Sequence, residues 1–292
     1  MTTTLGTGAE PHESPPARRR FRGALTSSLL VSIPLLAPLA ASAQAVVSAS
    51  PDVTIALGPG NVVTSDEAVA ADNQLGIVAL QGLGAIPSSA DVTGYADAGG
   101  GQFYFSLDTT VSLPGGVVAR PADVVSWNGA SHGLVFESAL HGIPSGVQVD
   151  AIGVTATNGL LLSFDTDVAL PGGLTVADED LVKFDGASFT LALDGSAAGI
   201  DRALDVDGAQ DVGGGYLVSF DTAGTVGGVT FQDEDILRVV GGSWTMAFDA
   251  SSADADWSAA DLDALQVPEP GAIASAALGA IGLAGLARRR RR

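Results

Sequence analysis

The sequence of 292 residues contains no cysteine, so neither disulfides nor thiol chemistry contribute to its fold or function. Aromatic residues are few, at 5%. Positive charge is concentrated at the ends. Arg18, Arg19, Arg20 and Arg22 lie near the start and Arg288, Arg289, Arg290, Arg291 and Arg292 at the finish, with only Arg120, Lys183, Arg202 and Arg238 between. Of the 33 acidic residues, all but Glu10, Glu13 and Glu269 fall in that middle region, so 4 basic residues face 30 acidic ones and the net charge there is near −26. Such a surface repels a phosphate backbone and excludes nucleic acid as a partner. It favours solubility or cations. The common catalytic signatures are also missing: no G-x-S-x-G, no H-E-x-x-H, and no glycine loop followed by Lys-Ser or Lys-Thr. No helical period of 3.6 residues runs through the middle of the chain.

What is present is a repeat. The signature S-[FL]-D-T occurs at Ser106 to Thr109, Ser163 to Thr166 and Ser219 to Thr222, and its aspartates Asp108, Asp165 and Asp221 fall at near-equal intervals. A second signature, an acidic residue before two apolar ones, keeps step at Asp123, Asp180 and Asp235. A fixed period of this size, about 57 residues, marks a repeat architecture. Within the middle copy, Val147 to Thr155 and Leu160 to Asp165 flank Asn158-Gly159, a short hairpin signal because both residues accept positive φ. A longer loop is expected around Pro171-Gly172-Gly173, and then Leu181 to Phe184 and Phe189 to Leu193 flank Asp185-Gly186. Each copy therefore reads as four short antiparallel strands in a meander.

Three copies are complete. The amino-terminal part of the domain supplies segments laid over later strands of a copy (Asp52 to Leu57, Ser65 to Ala71, Leu75 to Gln81), and Asp261 to Leu265 matches a first strand. Asp150, Asp207 and Asp263 keep the same period as the S-[FL]-D-T aspartates. One set split between the two ends is how a propeller closes, so the expected fold is all-β, a four-bladed β-propeller over residues 52–266. Open stacked β-repeats or a sandwich, and a β-trefoil, are the alternatives. The pattern is similar to hemopexin-type four-bladed propellers in blade count and in the Asp-Ala opening. Without a cysteine to join first blade to last, no ligand-binding residue carries over from that family.

The two ends read as addresses. A polar stretch, the arginines of residues 18–22, an apolar run from Ala24 to Ala40 and the small-x-small Ala41-Ser42-Ala43 make residues 1–43 an export signal peptide with cleavage after Ala43. The order R-R-x-F resembles a twin-arginine signal, and an ordinary secretory signal fits as well. Residues 44–51 are expected to be a disordered leader. At the other end, Val267-Pro268-Glu269-Pro270 precedes seventeen uncharged residues, Gly271 to Ala287, and then the five arginines. As a helix this segment would be about 25 Å long, a little short of a hydrocarbon core of about 30 Å. The arginines would hold its end on the cytoplasmic side.

This three-part tail, residues 267–292, resembles the PEP-CTERM sorting signal of Gram-negative bacteria. The resemblance implies export across the inner membrane, transient anchoring there by residues 271–287, cleavage near Pro268 to Pro270 by exosortase, and delivery to the cell surface or extracellular matrix. It also implies a setting of exopolysaccharide and biofilm, with exopolysaccharide or other matrix proteins as partners.

For the repeat domain two functional classes stand. One is a non-enzymatic binding or structural protein that displays an acidic face. The other is a secreted hydrolase acting on polymer, with single-copy residues such as Glu137 as acid or base. His132 and His141 occur in one copy only and read as incidental loop residues. The triplets Asp178-Glu179-Asp180 and Asp233-Glu234-Asp235 are the candidate calcium ligands, since consecutive carboxylates repel unless neutralised and calcium accepts carboxylate oxygen. Strand alternation, which points the middle residue away, argues against them. No other cofactor is expected.

Overall fold

The pentapeptide Leu160–Phe164 shows what the repeat builds. All five of its residues are buried, although a strand with one wet face alternates between apolar and polar. Leu160, Leu162 and Phe164 pack into one apolar cluster and Leu161 into another, so both faces of this strand are covered by neighbouring sheets. A computed structural model, which describes residues 47–72 and 78–267, shows four such sheets, each of four antiparallel strands.

From the axis outward, the first blade is Val92–Gly99, Gln102–Leu107, Val124–Trp127 and His132–Phe136. The second is Val149–Val154, Leu160–Phe164, Leu181–Phe184 and Phe189–Leu193. The third is Gly208–Asp211, Tyr216–Ser219, Ile236–Val240 and Ser243–Phe248. The fourth takes its inner strand, Leu262–Gln266, from the carboxy-terminal side and its others, Ser48–Pro51, Val69–Asp72 and Val78–Gln81, from the amino-terminal side. The four inner strands touch one another in a closed cycle. The fold is therefore a four-bladed propeller, and the trefoil and the open array are set aside.

The ring closes by pairing Ser48 with Gln266, Ala49 with Leu265 and Ser50 with Ala264. This corrects the expectation of a disordered leader, because Ser48–Pro51 is the second strand of the fourth blade and Val47 before it is buried. Residues 44–46 lie outside the described residues. The loop expected around Pro171 is likewise a small hairpin, Val168–Leu170 with Leu174–Val176, turned by Gly172 and Gly173 at φ of 91° and 84°. Every blade carries this hairpin between its second and third strands, the others being Ile55–Leu57 with Val62–Thr64, Val111–Leu113 with Val117–Ala119, and Gly224–Val226 with Val229–Phe231. The Asn158-Gly159 pair closes a longer loop than a two-residue turn, in which the Asn158 amide donates to the Thr155 carbonyl at 2.9 Å. Asn158 has the positive φ of 61°, and Gly159 is needed because a Cβ there would stand 2.7 Å from the Phe184 carbonyl.

Between each pair of blades lies one apolar cluster, four in all. The cluster between blades one and two holds an aromatic group in which Phe136 meets Phe184 edge-on at 5.1 Å and Phe184 meets Phe189 at 4.8 Å. His141 stacks on Phe136 at 4.9 Å. His132 sits in a strand, is 8% exposed, and its Nε2 meets the Leu83 carbonyl at 2.8 Å. Neither histidine is an incidental loop residue: His132 bonds across from blade one to the chain leaving blade four, and His141, in a short 3-10 turn, fills the joint between blades one and two.

Candidate functional site

The recurring aspartates divide into those that hold the ring together and those that are left over. Asp108 accepts the Asp91 amide at 2.7 Å while its own amide donates to the Asp91 carbonyl at 3.1 Å. Asp165 does the same with Gln148 and Asp221 with Asp205. So does Asp52 with Asp261, across the closure of the ring. Each pair clamps the end of a second strand to the start of the inner strand of its own blade.

The second signature is a latch of another kind. Asp180 takes the Ala177 amide on Oδ2 at 3.0 Å and the Gly195 amide on Oδ1 at 2.8 Å. Asp235 takes the amides of Gln232 and Ala250, and Asp123 those of Arg120 and Ser138. The turns held by Asp123 and Asp180 pass a carbonyl to the next blade, where the Val149 and Val206 amides donate to Pro121 and Asp178; the matching turn of blade four, where Ala68 replaces the latch aspartate, passes the Asp66 carbonyl to the Val92 amide. Both carboxylate oxygens of Asp180 and of Asp235 are thus occupied by the backbone. Glu179 points inward, is 1% exposed, and has Oε1 3.7 Å from Nε of Arg202. Its carboxyl is raised by burial, as is that of Glu234. The structure therefore does not bring Asp178, Glu179 and Asp180, or Asp233, Glu234 and Asp235, together around one point.

The carboxylates that do converge lie at the start of the inner strands. There the chain reads Asp91-Val92-Thr93, Gln148-Val149-Asp150, Asp205-Val206-Asp207 and Asp261-Leu262-Asp263. The central Val or Leu of each is wholly buried between blades, and strand alternation sends its two neighbours the other way. Carboxylate oxygens of Asp150, Asp205 and Asp207 lie within 4.8 Å of one another, and so do those of Asp207, Asp261 and Asp263. Three blades meet in this cluster, with Asp207 common to both trios. Gln148 steadies one edge, its Nε2 donating to Asp150 Oδ1 at 2.9 Å.

Burial and mutual repulsion dominate the electrostatics here. Desolvation first, and then neighbouring carboxylates, push Asp150 up to about 7, Asp205 to about 8 and Asp263 to about 8. Burial likewise lifts Asp261 to about 7 and Asp207 well above the ordinary carboxylate range. Among the described residues the two ion pairs, Lys183 with Asp211 and Arg202 with Glu179, do not involve these five. Without a cation the folded ring holds protons that an unfolded chain, with aspartates near 3.8, has released. Stability must then fall as pH rises from about 4 to about 8. Urea unfolding in chelator is expected to lose at least about 2–4 kcal/mol between pH 5 and pH 8, the contribution of one carboxylate raised to about 7 or 8; a flat profile would mean that these groups titrate as solvated aspartates.

A cleft of about 530 Å³ lies beside the closing blade, with Leu57, Phe248, Trp257 and Asp254 in its lining, and shares no residue with the acidic cluster.

The chain leaves the ring at Val267, whose amide donates to Oε1 of Gln210 at 2.6 Å while Nε2 of Gln210 donates to the Val267 carbonyl. Gln210 and Gln266 stand near the finishing ends of inner strands, so this exit is at the end of the ring opposite the acidic cluster. From Gln266 onward, residues 266–292 match the family model of the PEP-CTERM protein-sorting motif. The chain carries a PEP-CTERM tail. That motif implies processing by exosortase, with export and membrane-anchored sorting. Of residues 266–292, Gln266 and Val267 lie among the described residues. Pro268, Glu269 and Pro270, the apolar span 271–287 and the five arginines lie outside them, as does the signal of residues 1–43 with its cleavage site at Ala43. Among the described residues no helix is long and apolar enough to cross a membrane.

No curated protein matches this chain in sequence. Among solved structures it is similar to YCF48 bound to a D1 peptide, at 10% identity and a TM-score of 0.31 over 71% of this chain and 56% of that one. It is similar also to a chain of a nidogen/laminin complex, at 9% identity and a TM-score of 0.34 over 76% of this chain and 97% of that one. A third likeness is to a catalytically inactive virginiamycin B lyase from Staphylococcus aureus with quinupristin, at 9% identity and a TM-score of 0.31, covering 69% and 70%. This chain spans a little over half the length of the first of these.

The axial cluster was missed in the sequence, where Asp150, Asp207 and Asp263 served only to count repeats. Its signal was the D-[VL]-D pattern at Asp205 to Asp207 and Asp261 to Asp263.

Proposed function

We propose that this chain is a non-enzymatic cell-surface or matrix protein, a rigid acidic ring with a binding or structural role in an exopolysaccharide or biofilm setting. The observation that carries the reading is the PEP-CTERM tail, which follows directly on the strand that closes the ring. Two features of the ring support it. Its recurring aspartates hold backbone amides, so they are engaged in the fold rather than held free for proton transfer. Its acidic cluster stands at the end of the ring away from Val267, where the chain leaves it, so anchoring through the sequence that follows would leave that end open to partners.

The competing reading as a secreted hydrolase rests on Glu137. That residue is half-buried at the end of the outermost strand of blade one, and it is not among the carboxylates that converge on the axis. A general acid and base pair needs two groups placed across one substrate bond.

The test combines fractionation with turnover. Replacing Pro268, Glu269 and Pro270 with Ala is expected to leave at least ten times more protein at the inner membrane, with its arginine tail intact by mass. Wild-type chain is expected in the outer fraction, without Arg288 to Arg292 and beginning near Gln44. Surface delivery of the Ala variant at the wild-type level would overturn the sorting part. Hydrolysis of a polysaccharide or ester substrate by the purified protein, abolished by Glu137→Gln, would overturn the non-enzymatic part.

A further inference from the structure

We propose that the axial cluster is a calcium site, in which Asp207 is the common ligand between Asp150 and Asp205 on one side and Asp261 and Asp263 on the other. The proposal goes beyond surface display and does not depend on it. The donor set consists of oxygen alone, which suits a hard cation. Two oxygens bound on opposite sides of calcium, each at 2.3–2.6 Å, stand about 5 Å apart. The spacing within each trio, up to 4.8 Å, is therefore one that a single ion can span.

A second observation separates this cluster from the aspartates that clamp and latch the ring; the one other acidic side chain among the described residues with a buried oxygen lacking a donor, Glu179, has Arg202 near its second oxygen. Oδ2 of Asp207 and Oδ1 of Asp205 are shut off from solvent and have no hydrogen-bond donor. Asp52, Asp108, Asp123, Asp165, Asp180, Asp221 and Asp235, by contrast, each accept at least one backbone amide. A buried carboxylate oxygen without a donor is costly to leave bare. Here both belong to side chains whose carboxylates converge on the same small volume, and among the described residues no Lys or Arg pairs with them. A divalent cation supplies the missing partner for both.

The position also gives the ion a task. Asp150 belongs to blade two, Asp205 and Asp207 to blade three, and Asp261 and Asp263 to the strand that closes blade four. An ion held by Asp207 joins a strand contributed by the carboxy-terminal end of the domain to blades built earlier in the chain. Calcium would in this way act as a clasp on ring closure.

The experiment uses the purified exported chain, freed of metal by chelation and then dialysed. Binding is read by equilibrium dialysis with calcium chloride, and stability by thermal melting with calcium against sodium chloride of matched ionic strength. At a hundredfold excess of calcium over its Kd, the melting temperature is expected to rise by about 5–10 °C. Asp207→Asn is expected to lose at least tenfold in calcium affinity and most of that rise. Asp167→Asn, at an exposed position of the blade-two hairpin region, should keep both. Should Asp207→Asn not fold, Asp263→Asn is expected to show the same loss of affinity, and the dialysis of the wild-type chain stands alone. Absence of saturable binding to that chain, or a calcium response in Asp207→Asn equal to that of the parent, would overturn the assignment.

Discussion

Deletion of Leu262–Gln266 from the full chain is expected to abolish cooperative folding at 25 °C. The strand supplies Leu262, Ala264 and Leu265, each no more than 1% exposed, and these side chains enter the clusters on both sides of blade four. Truncating one buried leucine costs about 2–5 kcal/mol. Two leucines lost together with the ladder to Ser48–Pro51 would consume most of the 5–15 kcal/mol that stabilises an ordinary domain. The inner edge of Ser48–Pro51 would also be left unpaired, an invitation to aggregation. Circular dichroism should show loss of the sigmoidal melt, and sedimentation should show oligomers. A synthetic peptide of residues 258–267 is expected to restore the melt in trans, by adding the missing strand back to the open edge. A deleted chain that melts cooperatively within about 5 °C of its parent would mean that the other three blades carry the fold without closure.

How far the fold could be read in advance depended on which facts are local. The period carried by Asp108, Asp165 and Asp221 is written in the chain, and so is the split of one repeat between its two ends; both hold in the ring. The fourth copy of the S-x-D signature, Ser50-Pro51-Asp52, escaped because Pro51 replaces Phe or Leu and Val53 replaces Thr. Spacing could have found it, since Asp52 precedes Asp108 by the same interval that separates Asp165 from Asp221. Taking residues 44–51 as a leader hid the strand against which the ring closes. The small hairpins were hidden differently, in three-residue strands too short to show a period and marked only by paired glycines.

The carboxylate clusters show the limit most clearly. Asp178-Glu179-Asp180 drew attention because its charges are adjacent in sequence, yet the fold spends Asp180 on two backbone amides and turns Glu179 inward. The group that converges comes from three blades, and its outermost members, Asp150 and Asp263, are separated by two full repeats of chain. Nothing local to Asp150 announces Asp205. Only closure of the ring places them side by side, although the alternation in Asp205-Val206-Asp207 and Asp261-Leu262-Asp263 told which way their side chains would face.

The latch aspartates give the other large effect, and it should be independent of any cation. Asp123 is wholly buried, with Oδ2 accepting the Arg120 amide at 3.0 Å and Oδ1 accepting both the amide and the hydroxyl of Ser138, at 2.8 and 2.7 Å. Asp123→Ala would strand three donors in a site closed to water. Hydrogen bonds to a charged acceptor contribute about 1.5–3 kcal/mol each, and a buried donor left bare costs about 1–3 kcal/mol. Some of these donors will recover water as the turn relaxes, so a loss of about 3–5 kcal/mol in urea unfolding is expected. Asp123→Asn keeps one acceptor oxygen and should fall between the parent and the Ala variant. Asp180→Ala, with two amides at stake, should lose somewhat less than Asp123→Ala. Adding calcium to Asp123→Ala should raise its stability by the same increment as in the parent chain, because the latch and the axial cluster share no carboxylate. A loss under about 1 kcal/mol would mean that water already serves the Ser138 and Arg120 donors. A calcium increment that vanished with Asp123 would mean that the latch, and not Asp207, holds the ion.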